Sequence, residues 1–181
     1  MVLLDATAFS FLVNPDSKAP TNPLTLQPVV DAPTRFHFLR EQIEKAGSTI
    51  LIPTPALAEV LVAIGDAGPA ILELLNGSAR FKIADFDQKA AIELAAMTRE
   101  AIRSGGKKGS SQQTSQKVKF DRQIIAIART NQVERIYSDD GGVKHFAELI
   151  GMQVIQTWEM PLPPEVAQGT LFEGEPTNEP G

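Results

Sequence analysis

The sequence contains no cysteine, which excludes disulfides and thiolate metal ligands and fits a reducing compartment. No apolar run approaches the roughly 20 residues that a membrane span needs. The start Met1-Val2-Leu3-Leu4-Asp5 has no basic stretch, and Asp5 interrupts its apolar residues, so no secretory signal is read there. The expected address is the cytoplasm, with no membrane partner. Histidine is scarce, with two in the whole chain. Neither His37 nor His145 stands beside an acidic motif, so both read as structural and no histidine general base is required. Lys and Arg are missing from the last 23 residues, which carry Glu159, Glu165, Glu173, Glu175 and Glu179.

What remains is an ordinary globular composition. The chain has 181 residues, 43% of them apolar and 22% charged, which suits one domain with a sizeable core. The net charge is −5, but it sits in the tail: setting those five glutamates aside leaves 17 acids against 17 bases. The segment 99–122 holds seven bases, Arg99, Arg103, Lys107, Lys108, Lys117, Lys119 and Arg122, against Glu100 and Asp121. Such a patch on a neutral body can bind a polyanion. It can equally be a solvated loop.

The pattern alternates short apolar strands with amphipathic helices. Strands are expected at Val2–Leu4, Thr49–Ile52, Phe81–Ala84, Arg135–Ser138 and Gln153–Ile155. Helices are expected over Ala6–Val13, Thr34–Ala46, Pro55–Ile64, Ala70–Leu75, Gln88–Arg103, Asp121–Thr130 and Val143–Ile150. The segment 14–33, with Pro15, Pro20, Pro23, Pro28 and Pro33, reads as a long loop, and 105–116 as a Gly/Ser/Gln-rich one. Gly151 suits a helix C-terminus. This alternation argues for an α/β fold, a parallel sheet with helices on both faces. Residues 1–157 form the expected domain, and 158–181 an acidic Pro/Gly-rich tail, with Trp158 as its packing anchor.

Acids stand where charge is costly. Asp5 ends an apolar strand. Glu59 lies within Pro55-Ala56-Leu57-Ala58-Glu59-Val60-Leu61-Val62-Ala63-Ile64. Asp121 opens an apolar helix, and Asp139 and Asp140 follow Arg135-Ile136-Tyr137-Ser138. Carboxylates at the ends of buried elements need neutralising, and no matching bases accompany these. A hard divalent cation would do it. Each acid also has a structural reading. Asp5 and Asp121 suit helix N-termini, Asp139-Asp140-Gly141-Gly142 suits a turn, and Glu59 could be neutral or snorkel.

With Asp5, Glu59, Asp121 and Asp140 in that order, the chain resembles the PIN-domain nucleases, many of which are VapC-type toxins. Leu3-Leu4-Asp5-Ala6-Thr7-Ala8 is similar to that family's first motif. Glu59 matches its second acid, Phe120-Asp121-Arg122-Gln123-Ile124-Ile125-Ala126 its third motif, and Ser138-Asp139-Asp140 its fourth. The resemblance spans residues 2–156. It implies a three-layer α/β/α domain with a central parallel sheet of about five strands. It also implies an Mg²⁺- or Mn²⁺-dependent endoribonuclease acting on single-stranded RNA, with an antitoxin protein as partner and a homodimeric state. Asp5, Glu59, Asp121 and Asp140 would hold the metal, and Asp139 would either support those ligands from behind or be an alternate ligand. Thr7 and Ser138 would orient a ligand or water, while Lys107, Lys108, Lys117, Lys119 and Arg122 would contact RNA. Two alternatives stand beside this: a silent PIN-like module that binds RNA or protein, and a haloacid-dehalogenase-like phosphatase, whose second Asp would fall on Thr7.

Overall fold

The computed structural model describes residues 1–14, 16–103, 115–164 and 166. Its elements run β1 (Val2–Leu4), α1 (Ala6–Val13), α2 (Ala32–Lys45), β2 (Ile50–Pro53), α3 (Thr54–Ile64), α4 (Gly68–Gly77), β3 (Phe81–Ala84) and α5 (Gln88–Arg103). They continue as α6 (Ser115–Thr130), β4 (Arg135–Tyr137), α7 (Gly141–Leu149) and β5 (Gln153–Ile155). The strands form one parallel sheet in the order β3-β2-β1-β4-β5. Among the described residues no helix is long and apolar enough to cross a membrane.

The strands explain the layering. β1 and β2 are buried at every position, as expected of a parallel sheet covered on both faces. Alternate residues face opposite ways. Val2, Leu4, Ile50, Ile52 and Tyr137 point into a core layer shared with Phe9, Phe11, Phe36, Leu57 and Val60 of α1, α2 and α3. Leu3, Leu51 and Ile136 point into a second layer with Ile124, Ile125 and Ala128 of α6 and Val143 and Phe146 of α7. In one layer Phe11 and Phe36 stack with centroids 4.6 Å apart.

The strand order places the crevice. From β1 the chain builds outward through β2 and β3, then returns to β4 on the other side of β1. Connections leave β1 and β4 in opposite senses, so their carboxyl ends flank a topological switch point, where such sheets bind ligands. Asp5 follows β1 directly, and Ser138-Asp139-Asp140 follows β4. The register pairs Leu4 with Tyr137, so the two acidic segments leave the sheet side by side.

Several expectations shift. α2 begins at Ala32, inside the expected loop, with Pro33 in its first turn, and α4 spans Gly68–Gly77 rather than Ala70–Leu75. α6 begins at Ser115, so Asp121 is its seventh residue rather than its first. The polar stretch Ser115-Gln116-Lys117 reads as loop by composition, yet it contains no Gly or Pro to stop a helix. α7 begins at Gly141 rather than Val143, because Asp140 caps it. Beyond the boundary expected at residue 157, a 3-10 turn spans Thr157–Glu159, Trp158 packs against the core and Met160 is 2% exposed. The Arg35 guanidinium donates to the Met160 carbonyl and ties this segment to α2. The expected loop positions Lys107 and Lys108, and the tail from residue 167, lie outside the described residues. Gly151 takes a φ of +71° just past α7, the left-handed conformation that a helix terminus of this kind needs.

Candidate active site

Asp5 is where two local demands meet. Its backbone N–H donates to the Tyr137 carbonyl at 3.1 Å, extending the β1–β4 ladder by one step. Its Oδ1 accepts from the Ala8 N–H at 2.8 Å and caps α1. Capping fixes the carboxylate at the rim, and packing buries it to 4% exposure. Burial pushes its pKa from 3.8 up to about 7; the Ala8 N–H and the Ser138 hydroxyl pull the other way, and the charges of Asp139 and Asp140 add to the rise.

The β4–α7 connection supplies the facing groups. Ser138 is 3% exposed, and its Oγ accepts from the Asp140 N–H at 3.1 Å. Asp140 caps α7, its Oδ1 accepting from the N–H groups of Gly142 at 2.7 Å and Val143 at 3.3 Å. Asp139 is placed differently. Its Oδ1 accepts from the Thr157 N–H at 2.7 Å and its Oδ2 from the Thr157 hydroxyl at 2.5 Å. Burial raises its pKa, the Thr157 bonds oppose this, and Glu159 adds to the rise.

Asp121 reaches the same level of the molecule from α6. That helix runs back to the amino edge of β4, and the nine steps from Asp121 to Thr130 rise about 14 Å, roughly the depth of the sheet. Asp121 is 4% exposed. Thr7 sits half-buried in the first turn of α1.

Glu59 departs from its reading. The sequence surrounds it with apolar neighbours, as a buried face would. In the structure α3 buries Ala56, Leu57 and Val60, and turns Ala58, Glu59, Val62 and Ala63 to solvent. Val62 is 85% exposed. Four acids in metal-holding convergence were expected; among the described residues no three acids or histidines stand in such a group. The structure brings together Asp5, Ser138, Asp139 and Asp140.

The basic residues divide too. Lys119 is exposed, and the side chain of Lys117 lies outside the described residues. Arg122 lies over the Phe146 ring, 4.6 Å from its centroid. It lines a cavity of about 470 Å³ between α5, α6 and α7, with Met97, Leu149 and the ion pair of Arg129 and Glu93 at 3.1 Å. None of the rim acids lines that cavity. His37 pairs with Glu41 at 3.5 Å and His145 meets Phe146 edge-on, both structural contacts. Thr157, Gln156 and Lys144, which the structure places around Asp139, carried no signal in the sequence.

No protein-family profile matches the chain, and no curated protein is similar enough to stand as a relative. Solved structures do match. A structure of VapBC2 from Rickettsia felis bound to a DNA fragment from its promoter aligns with TM-score 0.56 and 16% identity, covering 86% of this chain and 98% of that one. DNA-bound VapBC from Salmonella typhimurium gives 0.51 and 17%, covering 86% and 97%. The Sarcin-Ricin loop cleaving toxin VapC20 of Mycobacterium tuberculosis gives 0.53 and 12%, covering 89% and all of its chain. At these identities the match establishes architecture, and the five-stranded parallel sheet with helices on both faces is the PIN-domain fold of these VapC and VapBC structures.

Proposed function

We propose that this chain is a divalent-metal-dependent endoribonuclease acting on single-stranded RNA, the toxin of a toxin–antitoxin pair. The observation that carries the reading is that Asp5 and the segment Ser138-Asp139-Asp140 leave adjacent parallel strands together at the switch point, with the Ser138 hydroxyl bonded both to the Asp5 carboxylate and to the Asp140 N–H.

The donors suit a hard cation. They are oxygens throughout, and Mg²⁺ commonly takes one or two protein carboxylates and keeps several waters. Asp5 is buried against like charges, so a cation beside it removes the cost of its ionised form. Asp5 and Asp140 would hold Mg²⁺ or Mn²⁺. Asp121, buried on α6, and Glu59, on α3 which packs against α1 and α6, would complete the acidic set. When bound, the ion supplies a nucleophilic water at neutral pH and offsets charge on the phosphate. Ser138 holds the Asp140 backbone and the Asp5 carboxylate in place, and Thr7, two residues after Asp5 in the first turn of α1, would orient a ligand. Lys119, with Lys107, Lys108 and Lys117, would contact phosphates and position the strand without reading bases.

The two VapBC structures that share this fold are bound to DNA, and the VapC20 structure is that of a toxin. An antitoxin partner and a homodimer are part of the reading for this chain. Purified protein should cleave RNA with Mn²⁺ or Mg²⁺ and stop in EDTA, and Asp140→Asn should remove most of the activity. Asn is also a good helix cap, so the fold should survive the change. Full cleavage in EDTA would end the proposal. The solvent-facing Glu59 favours one alternative, a silent scaffold that binds RNA or protein; RNA binding without cleavage in Mn²⁺ would select it.

A further inference from the structure

Two adjacent aspartates leave β4, and the chain after β5 treats them differently. Gln156 and Thr157 are buried to 6% and 3% exposure in the turn that closes the sheet. Thr157 occupies both oxygens of Asp139. Gln156 and Glu159 form a reciprocal cap: the Gln156 N–H donates to Glu159 Oε2 at 2.9 Å. Lys144, in the first turn of α7, donates to Gln156 Oε1 at 2.5 Å and stands 3.6 Å from Glu159 Oε1. The turn 156–159 thus grips the β4–α7 connection at two points, Asp139 and Lys144, which bracket Asp140. Between them lie Gly141 and Gly142, the first residues of α7, which bring no side chain to hold the connection.

We infer that Thr157 is a positioning residue for Asp140: by occupying both oxygens of Asp139 it keeps that acid from serving as a ligand, and with the Lys144 tie it fixes the Asp140 backbone beside Asp5. The inference rests on the metal-site reading above and deepens it. Partners one shell out from a ligand set its orientation, and losing one commonly weakens metal affinity about 10–100-fold. The clamp also assigns roles that the sequence leaves ambiguous. Asp140 would then be the ligand, and Asp139 an anchor held by its two bonds to Thr157.

The test is an Mn²⁺ titration of the full chain, followed by melting temperature, with an EDTA arm for each variant. Thr157→Val keeps the size and the backbone N–H but removes the hydroxyl; it should raise the Mn²⁺ midpoint about tenfold. Thr157→Ser keeps the donor and should stay near wild type. Asp139→Asn removes a charge that reaches Asp5, yet its amide can still meet both Thr157 groups, so its midpoint should rise less than that of Asp140→Asn. Lys144→Met cuts the second tie and should raise the midpoint, which keeps the inference testable should Thr157→Val not fold. An unchanged midpoint in Thr157→Val, with only the EDTA melting temperature lowered, would make the contact merely structural and overturn the inference. So would a loss in Asp139→Asn as large as in Asp140→Asn, since Asp139 would then be a ligand. A wild type whose melting temperature ignores Mn²⁺ would instead fail the metal reading itself, and the wild-type arm shows this before any variant is compared.

Discussion

Asp5→Asn separates the electrostatic cost of the rim from its use. Asn keeps the shape, and its Oδ1 can still accept from the Ala8 N–H. What it loses is a charge that folding buries. The wild-type carboxyl titrates at about 7 in the folded chain against 3.8 as its ordinary value. Below pH 4 both folded and unfolded chains carry the proton, and the group costs nothing. Between about pH 4 and 7 the folded chain keeps the proton that the unfolded chain has released, so stability falls as pH rises. Above 7 the full cost is present. Roughly three pH units at about 1.4 kcal/mol each give a penalty of order 4 kcal/mol. For a domain of this size that is roughly 8–16 °C in melting temperature. In EDTA the variant should therefore melt near wild type at pH 4 and well above it at pH 8. Adding Mn²⁺ at a hundredfold excess over its dissociation constant should return about 2.7 kcal/mol to the wild type, and less to the variant. Thermal unfolding at pH 4, 5, 6, 7 and 8, with and without metal, reads all of this. A variant less stable than wild type at pH 8 in EDTA, or a difference independent of pH, would refute the reasoning. RNA cleavage should be lost throughout.

Other expectations follow from where side chains sit. Glu59→Gln changes an exposed residue, so unfolding in EDTA should shift by no more than about 0.5 kcal/mol; a site role would appear as lost cleavage and a weaker Mn²⁺ response, and a metal-independent loss of several kcal/mol would mean a buried partner instead. Arg122→Ala removes the stacking over Phe146 and should cost about 0.5–1 kcal/mol, read by urea unfolding. A pure RNA-binding role would leave that stability unchanged. Replacing Lys107 and Lys108 with Ala should weaken RNA binding and flatten its salt dependence, by a slope of up to about 0.7 for each phosphate that is no longer neutralised. An unchanged slope in a salt titration would make that segment a solvated linker. Met160→Ala should cost roughly 2–5 kcal/mol because the side chain is in the core, whereas a fully flexible segment after residue 157 would tolerate it.

The sequence by itself carried the architecture. Apolar runs too short for helices, separated by amphipathic segments, placed every strand to within a residue, and Phe81–Ala84, Gln88–Arg103 and Gln153–Ile155 have the bounds their patterns predict. Burial on both faces of a parallel strand leaves a continuous apolar run, a signal that needs no tertiary information. The acids that end β1 and follow β4 were legible for the same reason, since charge next to such a run must lie at its end. Tertiary structure decided the rest. Nearly every residue of α3 is apolar, so periodicity could not say which side packs inward; packing against the sheet buries Ala56, Leu57 and Val60 and leaves Glu59 outside. Asp139 and Asp140 are chemically identical neighbours; Asp140 is taken by the start of α7, and Asp139 by Thr157, 18 residues further on. Arg122 looked like part of a basic patch until α7 brought Phe146 beneath it. Local pattern reports what an element buries. Which long-range partner meets each polar side chain depends on strand order and helix rotation, and those exist only once the sheet has assembled.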